Sequence, residues 1–164
     1  MEASFAEIED EFTTRTKKIV WCSVATTDRQ GRPRTRVLHP IWEGSTGYIA
    51  SGRNSFKAKH LAINPHVSLM YWDPDLEHGM AGAQVVYVEA RAEWLDDTAD
   101  LRRIWDLYKN TPPPVGYDPA IIPVWKDGPE SAEFGVLKIT PWRIELTGLQ
   151  VSAEKPALVW RGPA

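Results

Sequence analysis

The sequence predicts a mainly β fold with flanking helices (α+β), in which six or seven antiparallel strands form a small barrel. Short segments with alternating apolar and polar residues recur along the chain, as in strands that bury one face. Short turns rich in Gly, Asp and Ser join the first three of these segments, which is typical of an antiparallel meander. Closing such a sheet into a barrel removes its exposed edges.

Size and composition limit the class of protein. The 164 residues suit a single domain over residues 1–164, and 43% hydrophobic with 25% charged residues is typical of a globular protein. A net charge of −3 argues against a general nucleic-acid binder. The N-terminus is acidic and no apolar run could span a membrane, so we expect a cytoplasmic protein without a membrane partner.

Cysteine and histidine usage limits the chemistry further. The one cysteine, Cys22, rules out an internal disulfide, and its place in an apolar strand predicts a buried, inert thiol. The four histidines and this cysteine show no metal-ligand spacing, so the sequence predicts no metal site.

The first half of the chain predicts one helix followed by strands. Phe5, Ile8 and Phe12 recur at helical spacing, which indicates an amphipathic N-terminal helix. Short turns then separate three predicted strands: residues 19–26, 33–42 and 48–51. A short helix over residues 56–63 ends at Asn64-Pro65, and a fourth strand covers residues 67–72.

The second half predicts a long strand, a helix and a closing pair of strands. Gln84 opens the strand at residues 85–95, and a helix follows over residues 99–109. The segment to residue 133 is rich in Pro and Gly and is interpreted as a wrapped loop, with a lid as the alternative. Strands at residues 134–140 and 142–146 are separated by Pro141 as a turn residue, and the tail predicts an edge strand or a partner contact.

Residues 51–57 predict an anion site where a strand meets a helix. Ser51 ends the strand, and Ser55 is a good N-cap because its side-chain oxygen can accept an early helical N–H. Free N–H groups and the helix dipole favour negative charge there. Lys57 stands in the first turn, where a cation is unfavourable, and a bound anion would explain it.

This segment resembles the flavin-phosphate segment of the pyridoxamine-phosphate-oxidase-like split-barrel flavoproteins. In that family a strand ending in Thr or Ser is followed by Ser-x-Lys, a helix, Asn-Pro and a strand, and Ser51, Ser55, Lys57 and Asn64-Pro65 keep that order and spacing. The resemblance covers about residues 5–148. It implies a split β-barrel of the FMN-binding type and a homodimer with flavin sites at the interface, and the eight tryptophans suit such an interface.

The resemblance also implies which residues bind the cofactor. Ser51, Ser55 and Lys57 would hold the FMN phosphate together with an arginine of the second strand. Arg36 is the preferred match to the family's Arg-x-apolar pattern, but Arg34 shares its face of the strand and fits nearly as well. Gln84 resembles the family's glutamine that bonds the isoalloxazine ring, because an amide both donates and accepts hydrogen bonds.

The function implied is a flavin-dependent oxidoreductase that passes hydride through FMN to a small-molecule substrate, with NAD(P)H as a candidate donor. Pyridoxamine phosphate is a poor candidate substrate, because Thr147 replaces the Trp of the namesake oxidases and no Arg-Leu-His stretch follows Gly148. No nucleophile–base pair or carboxylate dyad stands out, so no catalytic residue is assigned.

Two alternatives remain open. The first is a reductase of the same fold that uses the deazaflavin F420, whose acidic tail could lie in a basic groove of Arg32, Arg34, Arg53 and Lys59. The second is a non-enzymatic flavin- or haem-binding stress protein.

Overall fold

The computed structural model describes residues 1–163. Within these residues there are three α-helices: α1 (Phe5–Ile19), α2 (Phe56–Leu61) and α3 (Thr98–Asn110). Eight strands accompany them in the same residues: β1 (Cys22–Thr27), β2 (Pro33–Leu38), β3 (Pro40–Glu43), β4 (Thr46–Gly52), β5 (His66–Asp73), β6 (Gln84–Leu95), β7 (Phe134–Gly148) and β8 (Leu158–Arg161). No helix among residues 1–163 is long and apolar enough to cross a membrane.

The strands form one antiparallel sheet in the order β2-β1-β5-β6-β7-β4-β3, with β8 paired to β7. The sheet curls but does not close, because β2 and β3 lie at its two ends. This confirms the predicted mainly β fold of the split-barrel type. The strands number eight where the sequence predicted six or seven: one predicted strand is divided, the two predicted at residues 134–140 and 142–146 form the single strand β7, and the tail adds β8.

That division occurs at His39. The sequence predicted one strand over residues 33–42, but β2 pairs with β1 while β3 pairs with β4. The chain therefore crosses the opening of the barrel at His39, where the regular strand is interrupted. The opposite error concerns Pro141, predicted as a turn between two strands. β7 runs through it: Glu89 and Ala90 of β6 pair with Arg143 and Pro141, so Trp142 is an extra residue of β7, and this bulge accommodates a neighbour that has no N–H to donate.

Two apolar cores lie on opposite faces of the sheet. In the first, α1 covers the barrel interior, and its Ile8 and Phe12 are fully buried against residues such as Leu69 and Val88. Because α1 continues to Ile19, β1 begins only at Cys22 and not at residue 19 as predicted. Cys22 is buried as predicted, and burial raises the pKa of its thiol to about 12.

The second core joins α3 to the other face. Ile104, Trp105 and Tyr108 of α3 pack there with Phe134 of β7. Trp125, from the segment between α3 and β7, is buried with its ring centroid 5.3 Å from that of Phe134. The segment is therefore anchored against α3 and the sheet, in agreement with the wrapped loop favoured by the sequence.

Candidate functional site

Arg36 of β2 and Lys57 of α2 form the centre of a cationic site. Arg36 shares one face of β2 with Leu38, which packs against the barrel core. Burial, and then the charge of Arg36, lower the pKa of Lys57, and burial followed by the charge of Arg34 lowers the pKa of Arg36. Among residues 1–163 neither Arg36 nor Lys57 has an acidic partner within 4 Å, so the two cations repel each other without compensation.

Buried polar atoms of Arg36 itself and of the β4–α2 segment that leads to Lys57 have no hydrogen-bond partner within the described part of the chain. They are Nη2 of Arg36 and the side-chain hydroxyl oxygens of Ser51 and Ser55. A buried polar group left unpaired destabilises the folded state by about 1–3 kcal/mol, so native proteins rarely leave several together. This arrangement fits a bound anion that the chain itself does not supply.

Ser55 differs from its predicted role. Its backbone has an N-cap conformation and its carbonyl accepts the N–H of Ala58, but its hydroxyl makes no capping bond. The helix it begins has six residues and ends at Leu61 instead of the predicted residue 63. A helix this short has little dipole, so the cations and the free hydroxyls, more than the helix, would attract the anion.

The structure separates the roles that Arg34 and Arg36 could play. Arg36 is half-buried, with one guanidinium nitrogen bonded inside the protein and the other without a partner. Arg34 is exposed and its guanidinium carbon lies 5.5 Å from the ring centroid of Phe56. Within residues 1–163, Arg36 therefore has a partly buried guanidinium nitrogen without a partner, whereas the guanidinium of Arg34 is exposed beside a ring.

Two residues near this site were missed by the sequence reasoning. Thr26 of β1 accepts a hydrogen bond from Arg36 Nη1 (2.9 Å), and its hydroxyl lies 2.8 Å from Nδ1 of His60 in α2. Thr26 is buried although it is polar. The one sequence signal for Thr26 was its position on the buried face of an alternating strand. Nothing in the sequence indicates that it contacts His60.

Gln84 does not belong to this cluster within one chain. It begins β6 opposite Asp73, whereas Ala25, next to Thr26, pairs with Ser68. Ser68 and Asp73 are five residues apart on β5, so Gln84 lies about 17 Å away along the sheet. It lines a separate cavity of about 530 Å³ together with Thr147 and Arg15.

A basic groove of about 610 Å³ lies beside α2, on the side of the β1–β2 turn. Arg29, Arg32 and Lys59 line it, and the exposed ring of Phe56 forms part of its wall. Asp28 also lines it and bonds Arg32 at 2.7 Å, while Arg34, predicted to line it, is not among its lining residues. Arg53, predicted to line such a groove, does not: it bonds Asp96 at 2.8 Å and stacks 5.4 Å from the ring centroid of Trp94.

Potential metal ligands do not gather anywhere in the described chain. No group of three or more His, Cys, Asp or Glu residues among residues 1–163 is placed to hold a metal ion.

Comparison with known proteins identifies the family and the fold. A family model described as pyridoxamine 5'-phosphate oxidase matches residues 8–148. A Clostridium acetobutylicum protein related to general stress protein 26, of the pyridoxinephosphate oxidase family, superposes with a TM-score of 0.69 at 13% identity, and 94% of each chain is covered. No curated protein matches.

Two further solved structures share the fold. The haem storage protein HutZ from Vibrio cholerae has a TM-score of 0.59 at 16% identity, over 82% of this chain and 89% of its own. A haem-binding protein from Mycobacterium smegmatis has a TM-score of 0.61 at 17% identity, over 90% of this chain and 55% of its own. These likenesses concern the fold alone. On the match of the family model, this chain belongs to the pyridoxamine 5'-phosphate oxidase family.

Proposed function

We propose that this chain is a flavin-dependent oxidoreductase that binds FMN through its phosphate. Arg36, Ser51, Ser55 and Lys57 would hold the phosphate group. The observation that carries the proposal is that buried polar atoms of Arg36, Ser51 and Ser55 have no partner among residues 1–163, together with the unpaired charge of Lys57, whose pKa the charge of Arg36 lowers.

The donor set suits a phosphate. A phosphate monoester carries a charge of about −1.5 to −2 at neutral pH and three strong acceptor oxygens. Nη2 of Arg36, the two serine hydroxyls and the Lys57 ammonium offer at least four donors, and the two cations balance the charge. Pairing them with an anion removes the penalty of leaving the buried donors unsatisfied.

When bound, FMN supplies the hydride chemistry, with a small molecule as the substrate and NAD(P)H as the candidate electron donor. The protein's share is to fix the phosphate and orient the cofactor. No acid–base residue is assigned. Burial keeps Arg36 and Lys57 from full hydration, which strengthens their interaction with an anion.

Gln84 lies about 17 Å along the sheet from the strand position next to Thr26, and this separation supports a homodimeric site. Gln84 of a second copy would contact the ring of the flavin whose phosphate the first copy holds. Light scattering at micromolar concentration should then report twice the 18.5 kDa chain mass. A monomer that binds FMN tightly would contradict this shared site.

The purified protein tests the function. We expect absorbance and mass spectrometry to detect FMN in the protein, either as purified or after reconstitution. Without oxygen, NAD(P)H or an added substrate should reduce the flavin and bleach its absorbance, and oxygen should then restore the absorbance. FMN that binds but is reduced by no donor would support a carrier instead. Failure to bind any flavin would overturn the proposal.

F420 is the second candidate, because the basic groove of Arg29, Arg32 and Lys59 adjoins the cationic cluster. An acidic tail extending from the phosphate could enter it. Lys59→Met separates the candidates, since FMN has no group that reaches the groove. The variant should weaken F420 binding severalfold if F420 is the cofactor and leave FMN binding unchanged in either case.

A haem carrier is the third candidate, suggested by the two haem-related proteins of the same fold. The histidines give it little support. His39 is buried among aromatic rings, His60 bonds Thr26, and His78 bonds Asp75 at 3.0 Å. His66 is exposed, and its ring packs edge-on against Trp142 with the centroids 5.2 Å apart. A haem titration that produces no sharp absorbance band under conditions where FMN binds would remove this candidate.

A further inference from the structure

A buried hydroxyl joins the barrel to α2 beside the two cations. Thr26, on β1, is 2% exposed. Its Oγ1 lies 2.9 Å from Nη1 of Arg36 and 2.8 Å from Nδ1 of His60, and these are its side-chain partners within residues 1–163. The three side chains therefore form a continuous hydrogen-bonded chain from β2 through β1 to α2.

The chemistry of the groups fixes one direction in this chain of bonds. A guanidinium can only donate, so Thr26 Oγ1 accepts from Arg36 Nη1. The Thr26 hydroxyl and Nδ1 of His60 share a second hydrogen bond of 2.8 Å, in which either group can supply the hydrogen. In both cases the Thr26 hydroxyl joins Arg36 to α2.

The arrangement immobilises the guanidinium. An arginine side chain has about 2 kcal/mol of rotamer entropy to lose when it binds a ligand. With Nη1 held by Thr26, Nη2 is the nitrogen left for another partner, and it has none among residues 1–163. The entropy is then lost on folding, before a ligand arrives, which favours binding.

The same chain of bonds also positions Lys57. His60 follows Lys57 by three residues, so the two side chains lie on the same face of α2. Asn64, just after the helix, donates to Thr27 Oγ1 at 2.9 Å and ties the far end of α2 to β1. A helix of six residues has little stability of its own, so these bonds decide where Lys57 stands relative to Arg36.

We propose that His60 and Thr26 are positioning residues for the anion site: the hydrogen bonds of Thr26 to Arg36 and to His60 hold Arg36 and α2 in the geometry that receives a phosphate. The inference rests on the proposed function for the identity of the ligand as FMN, but its geometry requires only a phosphate group.

Paired substitutions at Thr26 test the hydroxyl. Thr26→Val keeps the shape and removes both bonds, and FMN affinity should fall about tenfold or more. Thr26→Ser keeps the hydroxyl and should retain affinity within about twofold. Riboflavin, which lacks the phosphate, should bind all three proteins equally. A purely structural role would lower the affinities for FMN and riboflavin together, and that result would overturn the proposal.

Paired substitutions at His60 test its hydrogen bond to Thr26. Asn places an amide, which can donate or accept, near the position of Nδ1, whereas Phe keeps a ring of similar size without a hydrogen-bonding group. His60→Phe should weaken FMN binding about three- to tenfold, and His60→Asn should remain within about twofold of the wild type. His60→Phe with wild-type FMN affinity would also overturn the proposal.

Inorganic phosphate separates this inference from the proposed function. Phosphate should raise the melting temperature of the wild type, because it binds the folded state alone. The increase should shrink in Thr26→Val and His60→Phe and persist in Thr26→Ser. If phosphate gives these melting-temperature shifts but the protein binds FMN no better than riboflavin, the positioning role is supported and the proposal that the ligand is FMN is overturned. If both Thr26→Val and His60→Phe still bind FMN better than riboflavin, the FMN site is supported and the positioning role is overturned.

Discussion

Arg36 and Arg53 are two partly buried arginines that flank β3 and β4 in the sequence, and their surroundings are opposite. Arg53 is satisfied by the protein: it bonds Asp96 and the carbonyl of Leu95, and its guanidinium lies over Trp94. Arg36 has one internal partner, Thr26, and its Nη2 has none among the described residues.

We interpret this difference as a difference in role: Arg53 stabilises the fold, and Arg36 is available to bind a ligand. A cation whose donors are all used inside the protein adds to folding stability. A half-buried cation with a free donor and a like-charged neighbour destabilises the protein until an anion binds. Sequence alone cannot make the distinction, because both arginines stand in polar stretches of similar composition.

The largest expected effect is at Arg36. Arg36→Met keeps much of the apolar stem and removes the guanidinium, so FMN affinity should fall about hundredfold, the upper range for a charge-assisted hydrogen bond. Isothermal titration with FMN measures this. The matched control is Arg34→Met, the exposed neighbour on the same face, which should lose much less.

An equal loss in the two variants would mean that Arg34 shares the phosphate. A larger loss at Arg34 would reverse the assignment and remove Arg36 from the site.

The complementary change is at Arg53. Arg53→Met should lower the free energy of unfolding by about 1–2 kcal/mol, because it removes a hydrogen bond to a carbonyl and the stacking on Trp94. The ion pair with Asp96 adds little, since that carboxylate is 82% exposed. Urea denaturation measures the stability, and FMN affinity should be unchanged. A large loss of FMN affinity without a loss of stability would contradict the comparison.

His39 is a buried polar group of a third kind. Its ring lies among Trp21, Tyr108 and Tyr117, with centroids 4.9–5.7 Å away, and no cation accompanies it. Burial lowers the pKa of His39 below 6.5, and the nearby backbone of Val115 offsets this only in part. Such a group should produce a dependence of stability on pH and no anion site.

The sign follows from proton binding. Below pH 6.5 the unfolded chain takes up a proton at His39 that the folded chain resists, so stability falls as the pH drops towards the lower folded pKa. The slope from this residue is at most about 1.4 kcal/mol per pH unit. Urea denaturation between pH 7 and pH 5 should show the loss in the wild type and a smaller loss in His39→Phe. Identical pH dependence in both would refute this role.

The sequence predicted the parts of the molecule that depend on local pattern. Alternation, helical spacing and the Ser-x-Lys segment were enough for the split barrel, for α1 and α3, and for the grouping of Ser51, Ser55 and Lys57 next to a strand. The errors at His39 and Pro141 arose because strand pairing across the sheet, and not local preference, decides where a strand bends or continues. Thr26 and His60 were missed because their contact joins residues 34 positions apart.

Lys57 gives the most direct test of the central claim, that this cluster holds the phosphate of a flavin. Lys57→Met removes the ammonium and keeps the stem, and Lys59→Met, on the same short helix, is the matched control. Wild type and both variants are titrated with FMN and with riboflavin, and the melting temperature of each ligand-free protein is recorded.

We predict that Lys57→Met weakens FMN binding about ten- to hundredfold and leaves riboflavin binding unchanged. Its ligand-free melting temperature should be equal to or above that of the wild type, because burial and Arg36 already disfavour the charge of Lys57. Lys59→Met should match the wild type with FMN. Unchanged FMN affinity in Lys57→Met, or equal losses for FMN and riboflavin, would contradict the phosphate site.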